Sequence, residues 1–277
     1  MTDKYAVIGN PIAHSKSPLI HKMFAEQTGQ DISYEAILAP PDGFIATVKR
    51  LRKEGYKGCN VTVPFKQEAS DLASFLTPEV LEANCANTLT FKDGAIIANN
   101  TDGTGLVRDI ECNFGIPLHG KRVLLMGAGG AARGVLVPLV FAKIQRLVIA
   151  NRTLERVQEM LVHGQRFYED RSGMEIAART YSELCDEQFD VIINATSTGL
   201  TDEMLPLPGS IFAPGALAYD MMYGRETPFM KFAREQRAAK VSDGLGMLVE
   251  QAAAAFYIWR GVRPDTKPVM AKLRETV

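Results

Sequence analysis

The stretch VLLMGAGGAARG, residues 123–134, decides how this chain folds. Its four apolar residues, 123–126, predict a buried parallel strand, and a helical run follows the glycines. Gly127, Gly129 and Ala132 stand at the spacing G-x-G-x-x-A. In a strand-to-helix turn the first glycine makes the turn and the second lets a pyrophosphate reach the backbone. The small third residue lets helix and strand approach closely. Free amides at the helix start would then hold the phosphates. Glycine-rich turns also exist for packing alone, but a strand before and a helix after favour a dinucleotide.

The next buried run, RLVIA at 146–150, ends in Asn151-Arg152-Thr153. An NAD-binding chain usually carries an acidic residue here for the ribose 2′-hydroxyl. This chain has Arg152 instead, with Arg156 one turn further on. A guanidinium holds a phosphate through two parallel hydrogen bonds, where a carboxylate would repel it. The other reading is a solvated helix start capped by Thr153. The distance of both arginines beyond the glycines favours a 2′-phosphate, hence NADP.

At 277 residues the chain can hold two ordinary domains, and its 46% apolar content is enough for real cores. Charge is nearly balanced, with 31 basic and 32 acidic residues and a net of −1. No basic excess points to nucleic acid or an anionic membrane, though one local site could still take an anionic substrate. Cys59, Cys85, Cys112 and Cys185 lie far apart with no C-x-x-C pair. That argues against structural zinc and a disulfide framework, and suits a reducing compartment. The start, MTDKYAVIGNP, has no long apolar signal core. The late apolar run 247–259 is broken by Glu250 and Gln251 and is too short to span a bilayer. A soluble, cytoplasmic protein is expected.

In chain order, residues 4–9 predict a first strand, 18–29 a helix opened by Pro18, and 34–38 a second strand. A helix at 43–54 and a third strand at 59–63, stopped by Pro64, complete an alternation typical of a parallel sheet. Residues 88–91 and 95–98 flank an Asp-Gly hairpin turn. After Asp102 comes a helix to about 113, and a domain change is placed at Asp102 to Gly103. A second alternation follows, with strands near 123, 147, 190–194 and 216–220 and helices starting near 130, 153, 182 and 227. After 243 only helices remain, at 247–260 and from about 267. With no strand of its own, that tail must bury its apolar face on something already built.

Polar residues gather at the predicted strand ends of the first half, where open parallel sheets bind ligands. Ser15 and Ser17 follow the first strand, and Thr62, Pro64 and Lys66 the third, while Asn87 and Asp102 bracket the hairpin. Two hydroxyls beside a helix start suit a carboxylate. A lysine and an aspartate brought together can transfer a proton, with the acid orienting the ammonium. Each residue taken alone also reads as structural: Ser17 as a helix cap, Lys66 as a solvated helix start, Asp102 as an Asx turn. Asp220, Tyr223 and Gln251 stand in or beside apolar runs and read equally as satisfied core groups. His14, His21, His119 and His163 form no H-E-x-x-H and no cluster with acids, so no metal is expected. His14 beside Ser15 lacks the G-x-S-x-G elbow of a hydrolase.

Taken together, GNPIAHSKSP (9–18), NVTVPFK (60–66), ANTL (86–89), NNTDGTG (99–105), GAGGAARG, NRT, NATSTGL (194–200), YDMMY (219–223) and DGLGMLVEQAAAAF (243–256) resemble the shikimate dehydrogenases, in that family's order. The resemblance covers almost the whole chain. It implies an α/β protein: a substrate domain at 1–102 with an open, mostly parallel sheet, and a Rossmann NADP-binding domain at 103–243. C-terminal helices, 244–277, would return to the first domain, with a cleft that opens and closes between the two domains. The activity implied is reversible NADPH-dependent reduction of 3-dehydroshikimate to shikimate, on the route to aromatic amino acids. By motif position Lys66 and Asp102 become the catalytic pair, and Ser15 and Ser17 hold the substrate carboxylate. Thr62, Asn87, Asp102 and Gln251 bind ring hydroxyls, with Tyr223 at the cleft. Gly127, Ala128, Gly129, Gly130, Ala131, Asn151, Arg152, Thr153 and Arg156 correspond to NADP contacts. Asn84 departs from the family's common glycine; asparagine tolerates a left-handed conformation best after glycine, so no shift of the loop before Asn87 is expected. The alternatives are a quinate/shikimate dehydrogenase that also takes NAD, which Arg152 argues against, and a non-catalytic NADP-binding sensor, which Lys66 and Asp102 argue against. Monomer and homodimer both stay open.

Overall fold

The computed structural model describes residues 2–168 and 173–275. By internal contacts the chain divides into two compact units, 1–105 with 248–276, and 106–247.

The first unit is built on a six-stranded sheet. Its strands are β1 (Asp3–Gly9), β2 (Ile32–Leu38), β3 (Gly58–Val61), β4 (Phe75–Leu76), β5 (Thr88–Lys92) and β6 (Ala95–Asn99), in the order β2-β1-β3-β5-β6-β4. Only β5 runs antiparallel to its neighbours. It is one arm of the expected hairpin: Asp93 (φ 50°) and Gly94 (φ 79°) both take the left-handed conformation that a two-residue turn requires. β4 is two residues long and partly exposed, too short to leave a periodic signal.

One face of this sheet carries a core of Ile8, Phe44, Val48, Leu51, Phe65 and Leu89, all fully buried. The other is covered by the helix Ser17–Thr28 and by the long helix Leu245–Arg260, which from Leu248 onward belongs to this unit. Trp259 of that helix stacks on Tyr5 of β1 at 4.5 Å and its indole N–H donates to the Leu89 carbonyl at 3.3 Å. Gly58 makes this approach possible, because a Cβ there would lie 2.7 Å from the indole nitrogen and 2.4 Å from the Leu89 carbonyl oxygen. Phe24 and Phe256, both fully buried, meet edge to face at 5.7 Å. Truncating such a ring to alanine typically costs about 3–5 kcal/mol. The strandless tail thus buries its apolar face on the first sheet.

The second unit holds six parallel strands: β7 (Arg122–Met126), β8 (Arg146–Ala150), β9 (Glu175–Arg179), β10 (Phe189–Asn194), β11 (Phe212–Asp220) and β12 (Lys240–Ser242). Their order, β12-β11-β10-β7-β8-β9, is the Rossmann arrangement, with its switch point between β7 and β10. Along β7, Val123 and Leu125 face one hydrophobic cluster and Leu124 and Met126 the other, so the strand is apolar throughout. The outer strands β9 and β12 are half-buried and carry Glu175, Arg179 and Lys240. Edge strands have one unpaired side and need no continuous apolar run, which is why periodicity alone missed them. Among the described residues no helix is long and apolar enough to cross a membrane.

His21 lies inside the aromatic cluster of the first unit, fully buried and stacked on Tyr34 at 4.1 Å, with neither ring nitrogen at hydrogen-bonding geometry to a partner. Burial pulls its pKa down to about 3, and the nearby Asn60 side chain opposes this only in part. The unfolded chain takes up this proton near pH 6.5 and the folded chain only near 3, so stability is full above 6.5 and falls as the pH drops through that window. His21→Phe keeps the ring stack and removes the linkage. Urea unfolding between pH 6 and pH 4 should show a pH slope shallower by about 1.4 kcal/mol per unit in the variant. Identical slopes would place the acid sensitivity elsewhere.

Candidate active site

Lys66 and Asp102 each begin a helix, Lys66–Leu72 and Asp102–Arg108. An acid at a helix start is favoured by the helix dipole, whereas a lysine there is opposed by about 0.3–1 kcal/mol. The lysine is compensated by its partner: Nζ donates to Asp102 Oδ2 at 2.6 Å. The two side chains are 29% and 17% exposed, open enough to meet a small molecule and covered enough for the pairing to matter. Burial depresses the Lys66 pKa, but the Asp102 carboxylate, by charge and by hydrogen bond, more than restores it, leaving it above the ordinary lysine value.

Asp102 is itself oriented by Asn87. The Asn87 side-chain oxygen accepts from the Thr101 backbone N–H at 2.9 Å, and a backbone N–H can only donate. That settles which end of the amide is which, and turns the NH2 toward Asp102 Oδ1 at 2.8 Å, Thr101 Oγ1 at 2.9 Å and Gln251 Oε1 at 3.3 Å. Gln251 donates in turn to the Leu248 carbonyl of its own helix at 2.9 Å. Behind Asn87 lies Asn60, whose NH2 donates to the Asn87 carbonyl and Thr88 Oγ1 and whose oxygen accepts from Tyr34 at 2.7 Å.

Lys66, Asp102, Asn87 and Gln251 therefore form one network, drawn from both ends of the first unit's sequence. Asn60 and Thr101 belong to it as well. Both are buried and both stand inside the motifs NVTVPFK and NNTDGTG, but nothing in their spacing set them apart from their neighbours. Ser17 is not a helix cap: Lys16 holds the cap position, and the Ser15 hydroxyl accepts the Ser17 N–H at 3.3 Å. Thr62 follows β3 and packs against Gly9, where a Cβ would lie 2.4 Å from its methyl group. Asn84 closes the helix Pro78–Ala83 at φ 48°, ψ 36°, taking the left-handed conformation in the place of glycine.

In the second unit Gly127 turns at φ 107° with its N–H on the Ala150 carbonyl at 2.8 Å, and Ala132 is fully buried against the sheet. Gly129 and Gly130 are different. Their φ values are not left-handed, and a Cβ on either would meet no protein atom within 4 Å. Neither chain conformation nor internal packing asks for glycine there. Bare amides at the start of the helix Gly130–Phe141, open to approach from outside, fit a dinucleotide pyrophosphate. Ala128 is nearly buried and Ala131 exposed beside them. Asn151 anchors the turn after β8 by donating to the Thr153 carbonyl at 2.9 Å, leaving Arg152, Thr153 and Arg156 exposed.

Asp220, fully buried, accepts from Asn194, Thr227 and the Met222 N–H at 2.6–2.9 Å. It is a satisfied core group that ties the ends of β10 and β11. Tyr223 lies just past β11, half-buried, and burial raises its pKa.

A Rossmann sheet with an open glycine turn defines a dinucleotide-binding class of protein, and the same chain carries a lysine–carboxylate pair in its other unit. A family model described as the shikimate dehydrogenase substrate binding domain matches residues 7–89. Models described as shikimate / quinate 5-dehydrogenase and shikimate 5′-dehydrogenase C-terminal domain match 110–201 and 244–274. The shikimate dehydrogenase (NADP(+)) of Methylobacillus flagellatus is 60% identical over 98% of this chain and 99% of its own length. Shikimate 5-dehydrogenase from Thermus thermophilus, solved in complex with NADP(H) and shikimate, superposes with a TM-score of 0.86 at 30% identity over 100% of both chains. An Ael1 enzyme from Pseudomonas putida gives 0.92 at 48% identity over 98% of each. The chain belongs to the shikimate dehydrogenase family.

The two kinds of glycine separate experimentally. Gly127→Ala should destabilise the fold by about 1–3 kcal/mol through its left-handed backbone. Gly129→Ala should cost at most about 1 kcal/mol, as a lost helix-cap preference, yet weaken NADP(H) binding. Thermal melts paired with fluorescence titration of NADPH check both; full NADPH affinity in Gly129→Ala would remove the pyrophosphate from this turn.

Proposed function

We propose that this chain reduces 3-dehydroshikimate to shikimate, with Lys66 as the proton donor and Asp102 as its orienting partner. The observation that carries this reading is the 2.6 Å contact between Lys66 Nζ and Asp102 Oδ2, with Asn87 on the other carboxylate oxygen. When bound, NADPH would supply the hydride that reduces the substrate C3 carbonyl carbon. As negative charge develops on the carbonyl oxygen, the Lys66 ammonium stabilises it and passes a proton to it. Asp102, held by Asn87, keeps the ammonium aimed. Ser15 and Ser17, beside the helix start, offer neutral donors to the substrate carboxylate. Thr62, Asn87 and Gln251 present amide and hydroxyl groups suited to ring hydroxyls. Gly127 to Ala131 and Asn151, Arg152, Thr153 and Arg156 hold the cofactor, with Arg152 on the 2′-phosphate.

The reading carries a cytoplasmic location, because no disulfide joins any of the four cysteines and Cys112 and Cys185 are exposed, as suits a reducing compartment.

The raised pKa of Lys66 sets the sign of the pH dependence. Lys66 remains protonated through neutral pH, so reduction finds its acid ready, whereas shikimate oxidation needs the scarce neutral amine. Oxidation limited by chemistry should rise about tenfold per pH unit below that pKa, while reduction stays flat. Lys66→Ala should lower kcat by about 10²–10⁴ with a much smaller change in KM, and abolish the rise with pH. A kcat within a few-fold of the parent would remove Lys66 from proton transfer.

A further inference from the structure

The Arg152 fork already holds an anion. Its Nη1 donates to Glu203 Oε1 at 2.8 Å and its Nη2 to Oε2 at 3.2 Å, the two parallel bonds by which a guanidinium also takes a phosphate. A carboxylate and a 2′-phosphate cannot share one fork. Glu203 is moreover delivered by a braced turn. The short helix Thr198–Thr201 ends at Asp202 with φ 54°, and the N–H groups of Asp202 and Glu203 both point to the Thr198 carbonyl. The buried Thr198 hydroxyl lies 2.7 Å from that of Thr196, which donates to Asn194 at 2.7 Å, and Asn194 is held by Asp220.

Topology gives the pair its meaning. Arg152 follows β8 and Glu203 lies on the segment that follows β10, and these are the two strands flanking β7 and its glycine turn. Tyr181, nearly buried, senses both charges: burial raises its pKa to about 12, Arg152 pulls it down and Glu203 pushes it up.

We propose that Glu203 is a specificity-determining residue for the cofactor, an internal competitor that occupies Arg152 until a 2′-phosphate displaces it. This rests on Arg152 being the 2′-phosphate contact. A dinucleotide without that phosphate leaves the pair intact, so Glu203 lowers affinity for NADP(H) while leaving NAD(H) alone, and narrows the preference that Arg152 creates. Both side chains are well exposed, 64% and 45%, so the competition is a modest one of about two- to fivefold.

Calorimetric titration of the whole chain with NADP+, NAD+, 2′,5′-ADP and 5′-ADP tests this in the parent, Glu203→Gln, Arg152→Gln and the double variant. Glu203→Gln should tighten NADP+ and 2′,5′-ADP two- to fivefold, leave NAD+ and 5′-ADP unchanged, and lose most of its gain in the Arg152→Gln background. Unchanged or weakened NADP+ binding in Glu203→Gln, with Arg152→Gln still erasing the preference for NADP+, would overturn the competitor and keep the phosphate contact. An unaltered NADP+ to NAD+ ratio in Arg152→Gln would remove the contact itself, and the competitor with it. Thermal melts of each variant confirm that these exposed substitutions leave the fold intact.

Discussion

A half-buried ammonium needs an anion fixed beside it, and in this chain that anion is fixed by the register of one hairpin. Thr88 of β5 pairs with Asn99 of β6, which sets Asn87 beside Thr101 and Asp102. The Asn87 amide then reads the Thr101 N–H with its oxygen and the Asp102 carboxylate with its nitrogen. Slipping such a pairing by one residue turns every side chain to the opposite face of the sheet. The Asp93-Gly94 turn, with both residues left-handed, resists that slip. A turn on the surface thereby determines where Lys66 finds its partner.

The second unit meets a different requirement. Phosphates need bare amides, and bare amides need glycines that the fold itself does not use. Gly127 serves the backbone turn, while Gly129 and Gly130 serve neither conformation nor internal packing. Nearby, polar side chains buried at the strand ends satisfy one another: Asp220 with Asn194 and Thr227, then Asn194 with Thr196. Buried polar groups that are fully paired make a rigid support. That support carries the turn from which Glu203 reaches Arg152.

Of the fold, the elements with strong periodicity were legible: the glycine turn, the long helices, the hairpin and the central strands. The edge strands β4, β9 and β12 were not, because a short strand with one unpaired side has no need of a buried run. Lys66, Asp102, Asn87 and Gln251 could each be named from motifs, yet each also read as a cap, a solvated start or a core group. Asn60, Thr101 and Tyr34 went unnoticed, since a hydrogen bond between residues tens of positions apart leaves no local trace.

The order of residues alone determined the α/β alternation, the G-x-G-x-x-A turn and the missing acid after β8, since these depend on neighbours a few positions away and on local backbone chemistry. Only the tertiary structure decided that Gln251 meets Asn87 across 164 positions, that Gly58 admits Trp259, and that Glu203 occupies the Arg152 fork. Those contacts depend on strand order and register, and sheets bring distant residues together by pairing whole strands rather than by any signal carried in the residues themselves.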